Sequence, residues 1–342
     1  MTIQSRILVT GASGYIAMHV VQHLLQQGYA VRGTLRSTKH EARLRSIFAK
    51  DIKDDRQLDF VTADLMQDAG WDEAMQGLEY VMHVASPVPS GKLNSEDDLI
   101  QPALQGTRRV MQAAHKAGIK RVVMTSSVAA MHDPRMTDNQ RIWTESDWAD
   151  PTQDIGAYPK SKALAERAAW DFVADHPDME LATINPVYVI GPVFDERFST
   201  SIEIIRKLLR RDMPGLPRLS WSIVDTRDVA AAHLLAMTTP EAAGKRFCVD
   251  NGLLTTKEIA IILDNHFAEK GYRIPTMQLP DFAVRLFALF DQQARLVVDQ
   301  LGHETHFSNE QAKRVLGWQP RPLETTLIDA GQSLIDLGLV KR

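Results

Sequence analysis

The stretch Thr10-Gly11-Ala12-Ser13-Gly14-Tyr15-Ile16-Ala17 decides the fold. Before it runs Ile7-Leu8-Val9, a short apolar segment of β type. After it, residues 15–27 repeat apolar side chains at helical spacing and stop at Gly28. Glycines in a strand-to-helix turn let the backbone bend tightly and come close to a pyrophosphate. The next helix presents free N–H groups and a partial positive charge. The spacing is G-x-x-G-x-x-A rather than G-x-G-x-x-G, and Ala17 is the next smallest side chain for close helix–strand packing. Gly11, Ala12, Ser13, Gly14, Tyr15 and Ile16 are therefore candidate dinucleotide-binding residues.

Working outward, short β-type runs alternate with longer helical ones. Strands are expected near residues 30–34, 58–62, 80–84, 121–125 and 181–185, and helices near 40–50, 97–117 and 158–173. That alternation predicts an α/β, Rossmann-type, doubly wound parallel sheet covered on both faces. Beyond Pro186 the pattern loosens. Trp221–Val224 and Arg246–Val249 are read as returning to the sheet, and the chain after Asn251 as mostly helical, with Thr255 and Glu258 spaced as a capping box. The expected division is a nucleotide-binding domain of residues 1–185 plus about 221–250, and a smaller, discontinuous, mostly helical substrate lobe of 186–220 plus 251–342.

A fold that binds NAD usually places a carboxylate after the second strand to hold the ribose 2′-hydroxyl. Here the region reads Val31-Arg32-Gly33-Thr34-Leu35-Arg36-Ser37-Thr38-Lys39, with no carboxylate before Glu41. Guanidinium groups pair bidentately with phosphate. Arg36, assisted by Lys39 or Arg43, is expected to hold a 2′-phosphate, which selects NADP(H).

Tyr158-Pro159-Lys160-Ser161-Lys162 sets a phenol and an ammonium four residues apart, on one face of a helix, with Pro159 tolerable in the first turn. A free phenol is a poor proton donor or acceptor at neutral pH, and a cation one turn away favours its phenolate. The third member is Ser126 or Ser127, just past the strand Arg121–Thr125, where ligands of open α/β sheets bind. Such a trio can move a proton to or from a carbonyl oxygen.

Composition narrows the class. The 342 residues are 44% hydrophobic and 24% charged, with a formal net charge of −4 and no long single-sign run. A basic stripe for nucleic acid is missing. The single cysteine, Cys248, rules out an internal disulfide or a Cys-rich zinc site and fits a reducing compartment. No cationic and apolar leader is read at the N-terminus. The longest apolar stretch, near Phe282–Phe290, is interrupted by Arg285 and too short to span a membrane. A cytoplasmic protein, monomeric or homodimeric, is expected. No metal is expected: His303, Glu304 and His306 read as surface, and hydride transfer needs none. Phe282, Leu286 and Phe290 form a helical stripe expected to be core, while Trp221, Phe194 and Met213 are pocket candidates by position.

In combination these stretches resemble the extended short-chain dehydrogenase/reductase family, along nearly the whole chain. The carrying segments are Val9 to Ala17, Gly28 to Thr34 with Arg36, Ala63-Asp64-Leu65, His83-Val84-Ala85-Ser86-Pro87, Thr125-Ser126-Ser127, Tyr158 to Lys162, and Asn185-Pro186 through Gly191-Pro192. Within the family the chain looks like the branch of dihydroflavonol reductases and NADPH-dependent aldehyde, ketone and methylglyoxal reductases. The resemblance implies that Ser127 is the catalytic serine, that Tyr158 donates a proton to the substrate carbonyl oxygen, and that Lys162 favours the phenolate and holds the nicotinamide ribose. It implies that Asp64 and Leu65 flank the adenine and that Val84, Ala85 and Ser86 line the cofactor path. It further implies that Pro186 to Val189 meet the nicotinamide carboxamide, with Ser201 within reach of the cofactor. The chain departs from relatives that carry an Asn where Pro102-Ala103-Leu104 stands, and from plant enzymes with Asn or Asp at the position of His132. The Asn-Trp-Tyr-Cys-Tyr stretch of cinnamoyl-CoA reductases is absent around Tyr158.

The expected activity is reversible, NADPH-dependent reduction of a small-molecule aldehyde or ketone. A nucleotide-sugar epimerase uses the same Tyr, Lys and Ser but holds its NAD without external turnover. A non-catalytic NADP(H)-binding redox sensor is the other alternative, and the retained Tyr–Lys pair speaks against it.

Overall fold

The computed structural model describes residues 4–87, 94–213, 215–290, 295 and 297–341. Twelve strands among these residues run in chain order: β1 (Gln4–Val9), β2 (Tyr29–Leu35), β3 (Leu58–Thr62), β4 (Tyr80–His83), β5 (Arg121–Thr125), β6 (Ile142–Trp143), β7 (Glu180–Pro186), β8 (Tyr188–Ile190), β9 (Ser220–Asp225), β10 (Lys245–Val249), β11 (Leu253–Thr255) and β12 (His306–Phe307). The helices are α1 (Tyr15–Gln26), α2 (Glu41–Phe48), α3 (Trp71–Ala74), α4 (Asp97–Lys116), α5 (Ala157–Asp175), α6 (Glu203–Arg210), α7 (Thr226–Thr238), α8 (Thr256–Phe267), α9 (Asp281–Phe287), α10 (Glu310–Leu316) and α11 (Leu323–Asp336).

Seven strands form one parallel sheet in the order β10-β7-β5-β4-β1-β2-β3. The chain turns first one way from β1, to β2 and β3, and then the other, to β4 and beyond. The crevice between β1 and β4 is thus the switch point where ligands of such sheets bind. Alternation along β1 explains the two layers. Ile7 and Val9 face the core shared with α1, and Leu8 faces the core shared with α4 and α5.

The return of Arg246–Val249 to the main sheet is observed, as β10 beside β7. The return of Trp221–Val224 is not. β9 pairs parallel with β8 and antiparallel with β11 in a separate three-stranded sheet. The cause lies at the C-terminal end of β9. Asp225 caps α7 there through the Arg227 amide at 2.8 Å, and α7 at once lies across β5 and β7, so only β10 reaches the free edge. A third small sheet joins β12 to β6, tying the C-terminal region to the chain beyond β5.

The largest apolar core runs from β1 and α1 through α7 to Trp318, Leu327 and Leu334 near the C-terminus. The expected core stripe on α9 faces solvent instead: Phe282, Leu286 and Phe290 are 74%, 59% and 86% exposed, while Val284 is 4% exposed. Val284 packs with Leu219 and Leu301. On a seven-residue helix those distant partners, and not the size of the side chains, settle which face is buried. No helix among the described residues is long and apolar enough to cross a membrane.

Candidate active site

The site residues lie where successive strands end: the glycine loop after β1, Arg36 after β2, Asp64 after β3, Val84 to Ser86 after β4, Ser127 after β5, and Pro186 at the end of β7. These residues therefore share the carboxyl-end side of the parallel sheet.

At the first of these ends the backbone is packed too closely for side chains. Gly11 has φ +64°, and a Cβ there would stand 2.9 Å from the Ala85 Cβ. Thr34 fastens the loop: its hydroxyl accepts from the Gly11 amide at 2.9 Å and its carbonyl from the Ala12 amide at 3.0 Å. Thr10 fastens the β4 end, accepting from the Ala85 amide at 2.9 Å and lying 3.0 Å from Nδ1 of His83. Gly14 is the N-cap of α1, no side chain caps that end, and no acidic residue occupies the first turn. Amides of the first turn are left for an anion. A cradle that a Cβ would fill and an open helix N-terminus fit a dinucleotide pyrophosphate. The Tyr15 side chain turns away, its hydroxyl donating to the Gly191 carbonyl at 2.9 Å, and Ile16 packs on the core.

After β2 the charges sort themselves. Glu41, the first carboxylate, is engaged with Arg45 at 2.9 Å. Arg43 pairs with Asp195. Arg36 and Lys39 are exposed and form no ion pair among the described residues. His40, 2.9 Å from the Arg197 guanidinium, is held below its ordinary pKa by lost hydration and by Arg197, Arg43, Lys39 and Arg36 in turn. Arg36, Lys39, Arg43 and Arg197 thus make a cationic region after β2, and it fits a 2′-phosphate. Sequence reasoning passed over His40 and Arg197, whose approach spans 157 positions of the chain.

After β3, Asp64 accepts from the Met66 amide at 2.9 Å and Leu65 lies against Gly106. Ser201, 12 positions past Val189, is buried with its hydroxyl donated to the Val189 carbonyl, which fixes the chain beyond Pro186.

Tyr158 and Lys162, the expected proton donor and its cation, both lie on α5. Gly156, with φ +86°, swings the chain into the helix so that Tyr158 and Pro159 fall in its first turn. The Lys162 ammonium lies 5.8 Å from the Tyr158 ring centroid, and the residue is 5% exposed. Lys160, the other cation of the motif, is turned outward into an ion pair with Glu96 at 2.7 Å. Lys162 also reaches His83, whose pKa is pushed down to about 3 by burial first and by this ammonium second. The serine pair divides. Ser126 is buried and donates to Glu166 at 2.5 Å. Ser127 is half-buried and accepts from the Ala129 amide at 3.2 Å, which leaves its own hydroxyl hydrogen free. The turn Ser127 caps packs directly against α5.

His132 sits among aromatic neighbours. Burial holds its pKa down, Nδ1 lies 2.8 Å from the Val128 carbonyl, and Trp143 and Phe307 stand edge-on at 5.9 and 5.3 Å. Trp221 leans on Tyr188 at 4.8 Å and donates to Thr256 at 3.0 Å. Phe194 packs instead on His19 and Phe48, beside α1 and α2. His306 pairs with Glu304 at 3.2 Å, and no group of three or more metal-ligating side chains occurs among the described residues.

A family model described as the NAD dependent epimerase/dehydratase family matches residues 7–249. An NADPH-dependent methylglyoxal reductase of Saccharomyces cerevisiae is 30% identical over 352 aligned residues, covering 96% of this chain and 98% of the relative. A cinnamoyl-CoA reductase of Petunia hybrida is 35% identical, covering 79% of each chain. The crystal structure of a yeast methylglyoxal/isovaleraldehyde reductase complexed with NADPH superposes with a TM-score of 0.81 at 28% identity, over 98% of this chain and 100% of that one.

Proposed function

The chain belongs to the NAD dependent epimerase/dehydratase family, and we propose that it is an NADPH-dependent reductase of small to medium, partly apolar aldehydes or ketones. The observation that carries this reading is Tyr158 with Lys162 buried one turn beyond it, on a helix packed against the turn that Ser127 caps. When bound, the cofactor supplies hydride to the carbonyl carbon. The chain's part is the proton. Ser127, with its hydroxyl hydrogen free, orients the carbonyl oxygen. Tyr158 delivers a proton to that oxygen, and the Lys162 ammonium stabilises the phenolate left behind. Arg36 and Lys39 hold the 2′-phosphate, and the loop from Gly11 to Ile16 cradles the pyrophosphate, with the amides at the open start of α1 donating to it. The proposed setting is cytoplasmic, as a monomer or homodimer.

The positive field after β2 favours this reading over an epimerase, whose NAD needs a carboxylate there. The test is oxidation of NADPH and of NADH against a panel of aldehydes, diketones and a dihydroflavonol. Turnover with NADPH exceeding that with NADH is expected. Cofactor that stays bound without net oxidation, while a nucleotide sugar is interconverted, would replace the reductase with the epimerase.

A further inference from the structure

Glu166 lies four residues past Lys162 and eight past Tyr158, so α5 presents all three on neighbouring turns of one face. It is 0% exposed. Its carboxylate collects bonds from five side chains. Ser126 donates to Oε2 at 2.5 Å and Asn185 at 2.8 Å. Thr183 donates to Oε1 at 3.0 Å, Arg246 at 2.6 Å and Trp170 at 3.3 Å.

Arg246 answers the buried charge. It is itself anchored on the carbonyls of Glu145 and Asp147 at 2.8 and 2.6 Å, and its guanidinium lies 3.7 Å from the Trp148 ring centroid. Charge compensation alone would not require Ser126 or Asn185. Both bear on Ser127. Ser126 precedes it in the chain, and the Asn185 amide that meets Glu166 also donates to the Ser127 carbonyl at 3.2 Å. The peptide on each side of Ser127 is thus held from a carboxylate rooted on the helix that carries Tyr158 and Lys162. Two groups that must meet one carbonyl oxygen need their separation fixed to a fraction of an ångström. Ser127 and Tyr158 come from different elements, 31 positions apart, and the carboxylate links those elements directly.

We infer that Glu166 is a positioning residue of the site: through Ser126 and Asn185 it sets the place of Ser127 relative to Tyr158, and it affects turnover through Ser127. The inference rests on the proposed role of Ser127. Glu166→Gln would leave Arg246 buried without its counter-charge and unfold the region for reasons unrelated to catalysis. Ser126→Ala keeps the Glu166–Arg246 pair and cuts one tether.

The experiment is a cycle of Ser126→Ala, Ser127→Ala and the double variant. It reads kcat with NADPH and an aldehyde, NADPH affinity by fluorescence, and melting temperature. Ser126→Ala is expected to lower kcat about tenfold with NADPH affinity within about twofold, and its effect is expected to shrink below about twofold when Ser127 is already alanine. Equal losses in both backgrounds, or no loss in the first, overturn the inference. If Ser127→Ala itself leaves turnover intact, the reading of the site fails first. If Ser127→Ala is crippled while Ser126→Ala is silent, only the positioning role fails.

Discussion

Lys160 and Lys162 stand two positions apart and meet opposite fates, one in an exposed pair with Glu96, the other buried beside Tyr158. Helical spacing from Tyr158 was enough to choose Lys162 from the sequence. The partner of Lys160, 64 positions away, was not legible there. Lys162→Ala is expected to cut kcat by about a hundredfold or more, while Lys160→Ala stays within about threefold. Comparable losses in steady-state turnover would mean that the helix face has been misassigned. The same contrast governs the cofactor. The absence of a carboxylate before Glu41 was visible at once, but only the structure shows Arg43 engaged with Asp195 and Arg36 left free. Arg36→Ala is expected to weaken NADPH binding about tenfold or more and NADH binding little, read as two dissociation constants. Equal losses for the two cofactors would remove Arg36 from the 2′-phosphate site. The choice of Ser127 over Ser126 came with the family resemblance. The physical ground for it, the commitment of Ser126 to Glu166, needs contacts 40 positions apart.

Elements were legible where a local rule dominates. The strand–glycine–helix unit at the N-terminus follows from chain geometry, and its tightness can be tested. Gly11→Ala asks a residue with a side chain to hold φ +64° and to place a Cβ 2.9 Å from that of Ala85. The expected result is a loss of about 1–3 kcal/mol in unfolding free energy together with weaker binding of both NADPH and NADH, because the pyrophosphate loop is common to them. Unchanged denaturation and unchanged binding would show that the loop relaxes freely. α9 marks the opposite case. Its large apolar residues repeat at helical spacing, yet the face that is buried is that of Val284, because Leu219 and Leu301 come to it from elsewhere in the chain. β9 is similar. An apolar run reads as a strand, but which sheet it joins depends on where α7 lies.

For the whole molecule, three buried histidines set the response to acid. Burial pushes His19 down to about 4, His83 to about 3 and His233 to about 4, against an ordinary value of 6.5. The unfolded chain takes up these protons first. The stability they secure is therefore present above pH 6.5 and is lost as pH falls toward 4, each tenfold weakening of proton affinity being worth about 1.4 kcal/mol. Asp250 works in the other direction. Burial raises it to about 6, so its cost at neutral pH is relieved as pH falls through 6. Burial raises Glu145 and Asp228 in the same sense, but hydrogen bonds hold Asp54, Asp98 and Asp133 down and three imidazoles are pushed well below their ordinary value, so the midpoint of urea unfolding is expected to drop between pH 7 and pH 4.5. A midpoint that holds or rises over that range would show that these histidines open to water in the folded state. Because one core runs from β1 to α11, the loss should appear as a single transition.

The central claim is that this molecule reduces carbonyls with a proton from Tyr158, and Tyr158→Phe tests it most directly, since the substitution removes one oxygen atom from a half-buried ring. NADPH oxidation by an accepted aldehyde would be followed in the wild-type and variant proteins, with NADPH affinity measured alongside. The expected result is a fall in kcat of about a hundredfold or more with the NADPH dissociation constant unchanged within about twofold. Full turnover in the variant would contradict the claim, because the proton would then come from another group.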